Sequence, residues 1–201
     1  MAAGISFRET MEGWFALGAQ APEEGALQGQ SAGHKLAMHA EVQVDDLELF
    51  LAQRKETGRL SGTIEFPPLG ERLEARSGVF QLFTPATNDG IRRMVYELAF
   101  QAQGKPYYLA GEKHVRDDPG FDMWSDTTTL YTRLHEGGDK QGKVVGAGIL
   151  TLGVPELIAM VGSMRALGGG GMGTVMRFGS FFLGQLWNTY APHVVGGKSG
   201  A

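Results

Sequence analysis

The chain has 201 residues, 42% hydrophobic and 20% charged, which is enough apolar material to bury a core within one domain. Its formal net charge of −4 argues against a nucleic-acid binder, which would carry a basic face. With no cysteine it has no disulfides, thiolate chemistry or Cys-ligated zinc, and it fits a reducing compartment.

The opening MAAGISFRET lacks the apolar core of a signal peptide, and no run of about 18 apolar residues suggests a membrane span. The expectation is a cytoplasmic protein without a transmembrane segment. Ile5, Phe7, Met11, Phe15 and Leu17 alternate with Ser6, Arg8, Thr10 and Glu12, which predicts a long half-buried strand. From Ala19 to Gly33 the Gly-, Gln-, Ala- and Glu-rich sequence has no periodicity and reads as a surface loop. Leu36, Met38, Ala40, Val42 and Val44 then alternate with polar residues and predict a second strand. Asp45 with Glu48 three residues on suggests reciprocal capping, and Leu47, Phe50 and Leu51 a short helical stripe.

Leu60, Gly62, Ile64 and Phe66 mark the next strand, stopped by Pro67-Pro68-Leu69-Gly70. Further strands are expected at roughly Glu71 to Phe83, Ile91 to Gln101, Pro106 to Arg116, Asp126 to Glu136 and Lys143 to Leu152. Between them stand turn signals at Asn88-Asp89-Gly90, Gln103-Gly104 and Gly137-Gly138-Asp139. About eight closely spaced strands with little helix between them predict a mainly β fold, an antiparallel barrel-like domain of lipocalin-like or sandwich form. After Leu152 the period changes to helical. Pro155 suits a first helical position and Leu157, Met160, Val161, Met164 and Leu167 recur every 3 or 4 residues. The Gly168 to Gly173 run separates this helix from a second, Thr174 to Tyr190, which is apolar around most of its circumference and should bury Phe182 and Trp187. The expected organisation is a single domain, with the barrel over 5–152, two C-terminal α-helices over 153–191 and a flexible tail over 192–201.

Polar chemistry concentrates between Gly104 and His135, in Glu112, Lys113, His114, Asp117, Asp118, Asp122, Trp124 and Asp126. The four aspartates could gather oxygens around Ca²⁺, but their spacing is not that of an EF-hand and a solvated turn capping its own backbone explains them as well. Glu112 and His114 share one strand face, where His could act as base or ligand. A polar outer barrel face has the same pattern, and no nucleophile or orienting third group accompanies them. Gly168, Gly170 and Gly173 match G-x-G-x-x-G but follow a helix and lack the acidic residue about 20 positions on that a dinucleotide site uses. Ser61, Ser77, Ser125 and Ser180 stand outside any G-x-S-x-G elbow.

The segments FRETMEGWF, GRLSGTIEFPPLGERLEARSGVFQLF, MVYELAFQAQGKPYYLAGEKHVRDD, DMWSDTTTLYTRLHEG and VMRFGSFFLGQLWNTYA resemble an accessory region of large bacterial proteins. Those proteins also carry a glucose-methanol-choline type flavin oxidoreductase of the cholesterol-oxidase-like kind, sometimes with an α/β-hydrolase. The resemblance spans Ile5 to Ala191 but not the flavin domain, since this chain has neither its FAD loop nor a catalytic His in a recognisable setting. It implies a module without its own cofactor, associated with enzymes acting on sterols or other lipids.

Nine Met, eleven Phe, three Trp and five Tyr must be housed. They could fill an ordinary core or line a cavity, because a barrel of eight strands can hold one small ligand. The inward set for a lipid or sterol-like ligand is Met38, Met94, Tyr96, Phe100, Tyr107 and Leu109, with Trp124 at the rim. The reading is a non-catalytic module that binds a hydrophobic ligand or docks onto a lipid-active enzyme. The alternatives are a structural interaction domain and an enzyme using Glu112, His114, Asp126 and Arg133.

Overall fold

The computed structural model describes residues 2–53, 57–82, 91–116 and 127–180. Asp117, Asp118, Asp122, Trp124, Asp126, Phe182 and Trp187 therefore lie outside the described residues, as does the Asn88-Asp89-Gly90 turn.

The period-2 segments become strands β1 (Ala3–Leu17), β2 (Lys35–Val44), β3 (Gly58–Phe66), β4 (Gly70–Ala75), β5 (Ser77–Gln81), β6 (Ile91–Ala102), β7 (Lys105–Arg116), β8 (Thr129–Glu136) and β9 (Val144–Thr151). They pair antiparallel in the order β1-β2-β3-β5-β6-β7-β8-β9, and β9 returns to the second half of β1, closing an eight-stranded barrel. The strand expected over Glu71 to Phe83 is broken at Arg76. Its first part, β4, pairs with β3 alone, while β5 bridges β3 to β6. Gln103 and Gly104, with φ of 50° and 74°, form the tight β6–β7 connection whose positive dihedrals match the strand twist.

Each strand turns its apolar set inward. Ile5, Phe7, Met11 and Phe15 of β1 face Leu36, Met38, Ala40, Val42 and Val44 of β2, and Met94, Leu98 and Phe100 of β6 face Leu109 and Val115 of β7, all in one continuous core. Phe80 sits in edge-to-face contact with Phe7 and Tyr96 at 6.0 and 5.0 Å and stacks on Phe50 at 6.1 Å. Phe15 meets Phe66 at 5.2 Å.

Helices accompany the barrel. Residues 19–33 contain α1 (Pro22–Ala32) rather than a loop. Its low amphipathicity hid it, and tertiary packing supplies what propensity does not. Gly25 and Gly29 lie one turn apart where a Cβ would come within 1.9 Å of the Ala147 carbonyl and 2.4 Å of the Phe15 nitrogen, so their lack of a side chain lets the helix rest on the β1–β9 backbone. Ala16, Ala19 and Ala147 form a small core of their own, separate from the interior. The second helix, α2 (Leu47–Gln53), is capped by Asp46, whose Oδ1 accepts from the Leu49 N–H at 3.0 Å, and not by Asp45, which pairs with Arg59.

The third helix, α3 (Val154–Ser163), has Pro155 in its first turn as expected but ends at Ser163. Leu167 belongs instead to β10 (Arg165–Gly168), which pairs with residues 3–6 of β1. Between the β10 and β9 pairings, β1 has no strand on that edge among the described residues. There the Ser163 hydroxyl accepts from the Arg8 N–H at 2.8 Å and directs its own hydrogen to the Met160 carbonyl at 2.6 Å or the Arg8 carbonyl at 3.3 Å. A last described helix covers 172–180 and brings Phe178 into the core, stacked on Phe7 at 5.4 Å. Arg177 of this helix pairs with Glu48 of α2, tying the two helices together.

Candidate functional site

Among the described residues the barrel interior is apolar apart from Thr132 of β8, whose hydroxyl donates to the Gly148 carbonyl at 2.8 Å, and three strands that place one polar group each into the same space. Glu9 stands in phase with Ile5, Phe7 and Met11, Lys113 with Leu109 and Val115, and Tyr96 with Met94 and Leu98. Lys113 Nζ lies 2.7 Å from Glu9 Oε1, and both side chains are 1% exposed or less. The Tyr96 hydroxyl donates to Glu9 Oε2 at 2.9 Å, and the ammonium sits 4.8 Å from the Tyr96 ring centroid. The pair joins β1 to β7 across the lumen, and Tyr96 comes from the neighbouring β6.

Met38, Met94, Tyr96, Phe100 and Leu109 of the expected ligand set are all buried in this interior, and Tyr107 is half-buried against it, stacked on Phe100 at 5.8 Å. Sequence reading missed Glu9 and Lys113 as partners, although Glu9 carries a visible signal as the one charged residue in the apolar phase of β1.

Burial first, then the Glu9 charge and its hydrogen bond, push the Tyr96 phenol well above its ordinary range. Below about pH 10, folded and unfolded chains both keep this proton and the group's contribution is intact. As pH rises through the ordinary phenol range the unfolded chain releases the proton while the folded one holds it, so stability is lost. We expect the denaturant midpoint to fall as pH rises above about 10, and to fall less in Tyr96→Phe. Equal slopes in the two proteins, followed by fluorescence, would contradict the assignment.

A second polar cluster lies on the outside, where β6, β7 and β8 present their other face. Glu97, Glu112, His114, Tyr131, Arg133 and His135 line a cleft of about 370 Å³, floored by Ala110 and Gly111 and rimmed by the start of α1 and by Lys140. The residues weighed as an enzyme centre, Glu112, His114 and Arg133, do meet there. Glu112 Oε2 is 3.4 Å from Arg93 Nε and 3.7 Å from His114 Nε2, and the His114 ring stacks on Tyr131 at 5.1 Å. Glu97 accepts from Tyr108 at 2.6 Å and from Lys140 at 3.0 Å. Burial, then the Glu97 hydrogen bond, raises the Tyr108 phenol above its usual range.

Among the described lining residues there is no Ser, Thr or Cys. Among the described residues no group of three His, Asp or Glu side chains is disposed to hold a metal ion. No described helix is long and apolar enough to cross a membrane. No family model, no curated protein and no solved structure matches the chain.

Proposed function

We propose that the chain is a non-catalytic binding module whose barrel takes up a hydrophobic ligand, lipid or sterol-like, through one polar group on that ligand. The observation that carries this reading is the incomplete hydrogen bonding of Lys113. Its ammonium has three donors, yet among the described residues it meets one acceptor, Glu9 Oε1, and the face of Tyr96. A ligand hydroxyl or carbonyl would take up that capacity. A buried ion pair is seldom more stabilising than apolar residues of the same volume, so stability alone gives little reason to place one inside a barrel. An apolar lining with a few convergent polar groups is the usual make-up of a small-molecule site. Met11, Met38 and Met94 around it are buried, unbranched and able to repack. The resemblance to modules of sterol-oxidising proteins makes a sterol the first molecule to try.

Native mass spectrometry of the protein as purified, and after incubation with cholesterol, tests the reading. The expected result is one ligand per chain, with occupancy lowered about tenfold when Glu9→Leu and Lys113→Met are combined. Ligand-free protein in both samples would overturn it and leave docking onto a lipid-active enzyme as the surviving reading. That second reading has its own support in two exposed apolar pairs at helical spacing, Val154 with Ile158 on α3 and Met172 with Met176 on the 172–180 helix.

A further inference from the structure

The outer cleft carries a separate assignment. His135 is 7% exposed, and its Nδ1 lies 2.9 Å from the Gly142 carbonyl oxygen. A carbonyl can only accept, so Nδ1 carries the hydrogen and the neutral ring keeps its lone pair on Nε2. Nε2 has no partner among the described residues, and the side chain lines the cleft. Arg133, two residues earlier on β8, anchors its Nε to the Gln20 carbonyl at 3.3 Å, which leaves both terminal guanidinium nitrogens without a partner among the described residues.

Two of the neighbouring carboxylates are committed elsewhere, Glu97 to Tyr108 and Lys140 and Glu112 to Arg93 and His114, while Glu23 stands at the rim. The first turn of α1, at the rim, carries Glu23 and Glu24, which already meet that helix end's preference for negative charge. A fork of free guanidinium donors beside a fixed imidazole acceptor matches a carboxylate with a hydroxyl close to it. The three glutamates that line the cleft, Glu23, Glu97 and Glu112, disfavour a second negative charge, and the Tyr131 ring with Ala110 and Gly111 offers an apolar wall and floor.

We propose that this cleft binds a small aromatic hydroxy acid carrying one carboxylate, with Arg133 holding the carboxylate and His135 Nε2 accepting the hydroxyl hydrogen. The proposal is independent of any ligand in the barrel, because the two sites lie on opposite faces of the same strands.

The test is calorimetric titration of the intact chain with mandelate and with phenylacetate, which has the same ring and carboxylate but no hydroxyl. Wild-type protein should bind mandelate about tenfold more tightly, the size of one well-placed hydrogen bond. Arg133→Gln should weaken both acids about tenfold or more, since Arg133 is exposed and its loss leaves the core alone. His135→Asn keeps a donor towards the Gly142 carbonyl but removes Nε2, so it should abolish the preference for mandelate while leaving phenylacetate binding unchanged. Circular dichroism melting of each variant establishes that it is folded. Equal binding of the two acids by wild type, undiminished binding by Arg133→Gln, or no heat at 10 mM ligand, about a hundredfold above the Kd of a weak specific site, would overturn the proposal.

Discussion

Lys113→Met should destabilise the barrel by about 3–5 kcal/mol, because it strands the Glu9 carboxylate in a space that excludes water. The companion variant decides the cause. Combining Lys113→Met with Glu9→Leu removes both charges and leaves the Tyr96 hydroxyl as the member of the cluster still to be accommodated, and this double change should bring stability back to within about 1 kcal/mol of wild type or above it. Urea denaturation of the three proteins measures both numbers. If the double variant were as unstable as the single one, the contacts of the lysine stem rather than its charge would be what the barrel needs. The restored double variant is also the protein that separates stability from ligand uptake, because it folds with an apolar lumen while lacking the polar group that the proposed ligand would meet.

Phe80→Ala should cost about 3–5 kcal/mol, at the upper end for a core truncation. Its ring is 1% exposed and touches three other rings drawn from different elements: Phe7 of β1, Phe50 of α2 and Tyr96 of β6. Few neighbours can move into the vacated space without breaking a contact of their own, so the void persists. Phe80→Leu should recover more than half of the loss in the same thermal or chemical melt. A cost below about 1 kcal/mol would show instead that the end of the barrel under α2 and the 172–180 helix collapses freely around the gap.

Much of the barrel was legible from alternation alone, since a two-residue period records which side of a sheet each residue faces whatever its neighbours are. The same rule placed Met38, Met94, Phe100 and Leu109 inward. Period says nothing of partners, however. That Lys113 faces inward follows from its phase with Leu109. That it meets Glu9, 104 residues away, follows only from the closure of β9 onto β1. The helix α1 was illegible for a related reason: Gly25 and Gly29 weaken a helix considered by itself and favour it only where a backbone waits underneath. Arg165–Gly168 was read as a helix end because Leu167 continues the helical spacing by coincidence; the free edge of β1 claimed it instead. The outer cleft was half-visible. Glu112, His114 and Arg133 could be named, while His135 gained its role from a loop carbonyl that no spacing rule announces.

The Ser163 contact bears on how an exposed stretch of strand edge is covered. A stretch of β1 flanked on one side by β2 alone presents unpaired backbone groups, the feature through which β proteins join edge to edge into larger assemblies. Here a single hydroxyl from α3 occupies the amide of Arg8 and offers a hydrogen towards its carbonyl, so a foreign strand finds the position already taken. The barrel thus covers this interrupted stretch of β1 with a side chain rather than a strand, and loosening the short helix that carries it should make the chain more prone to edge-to-edge association.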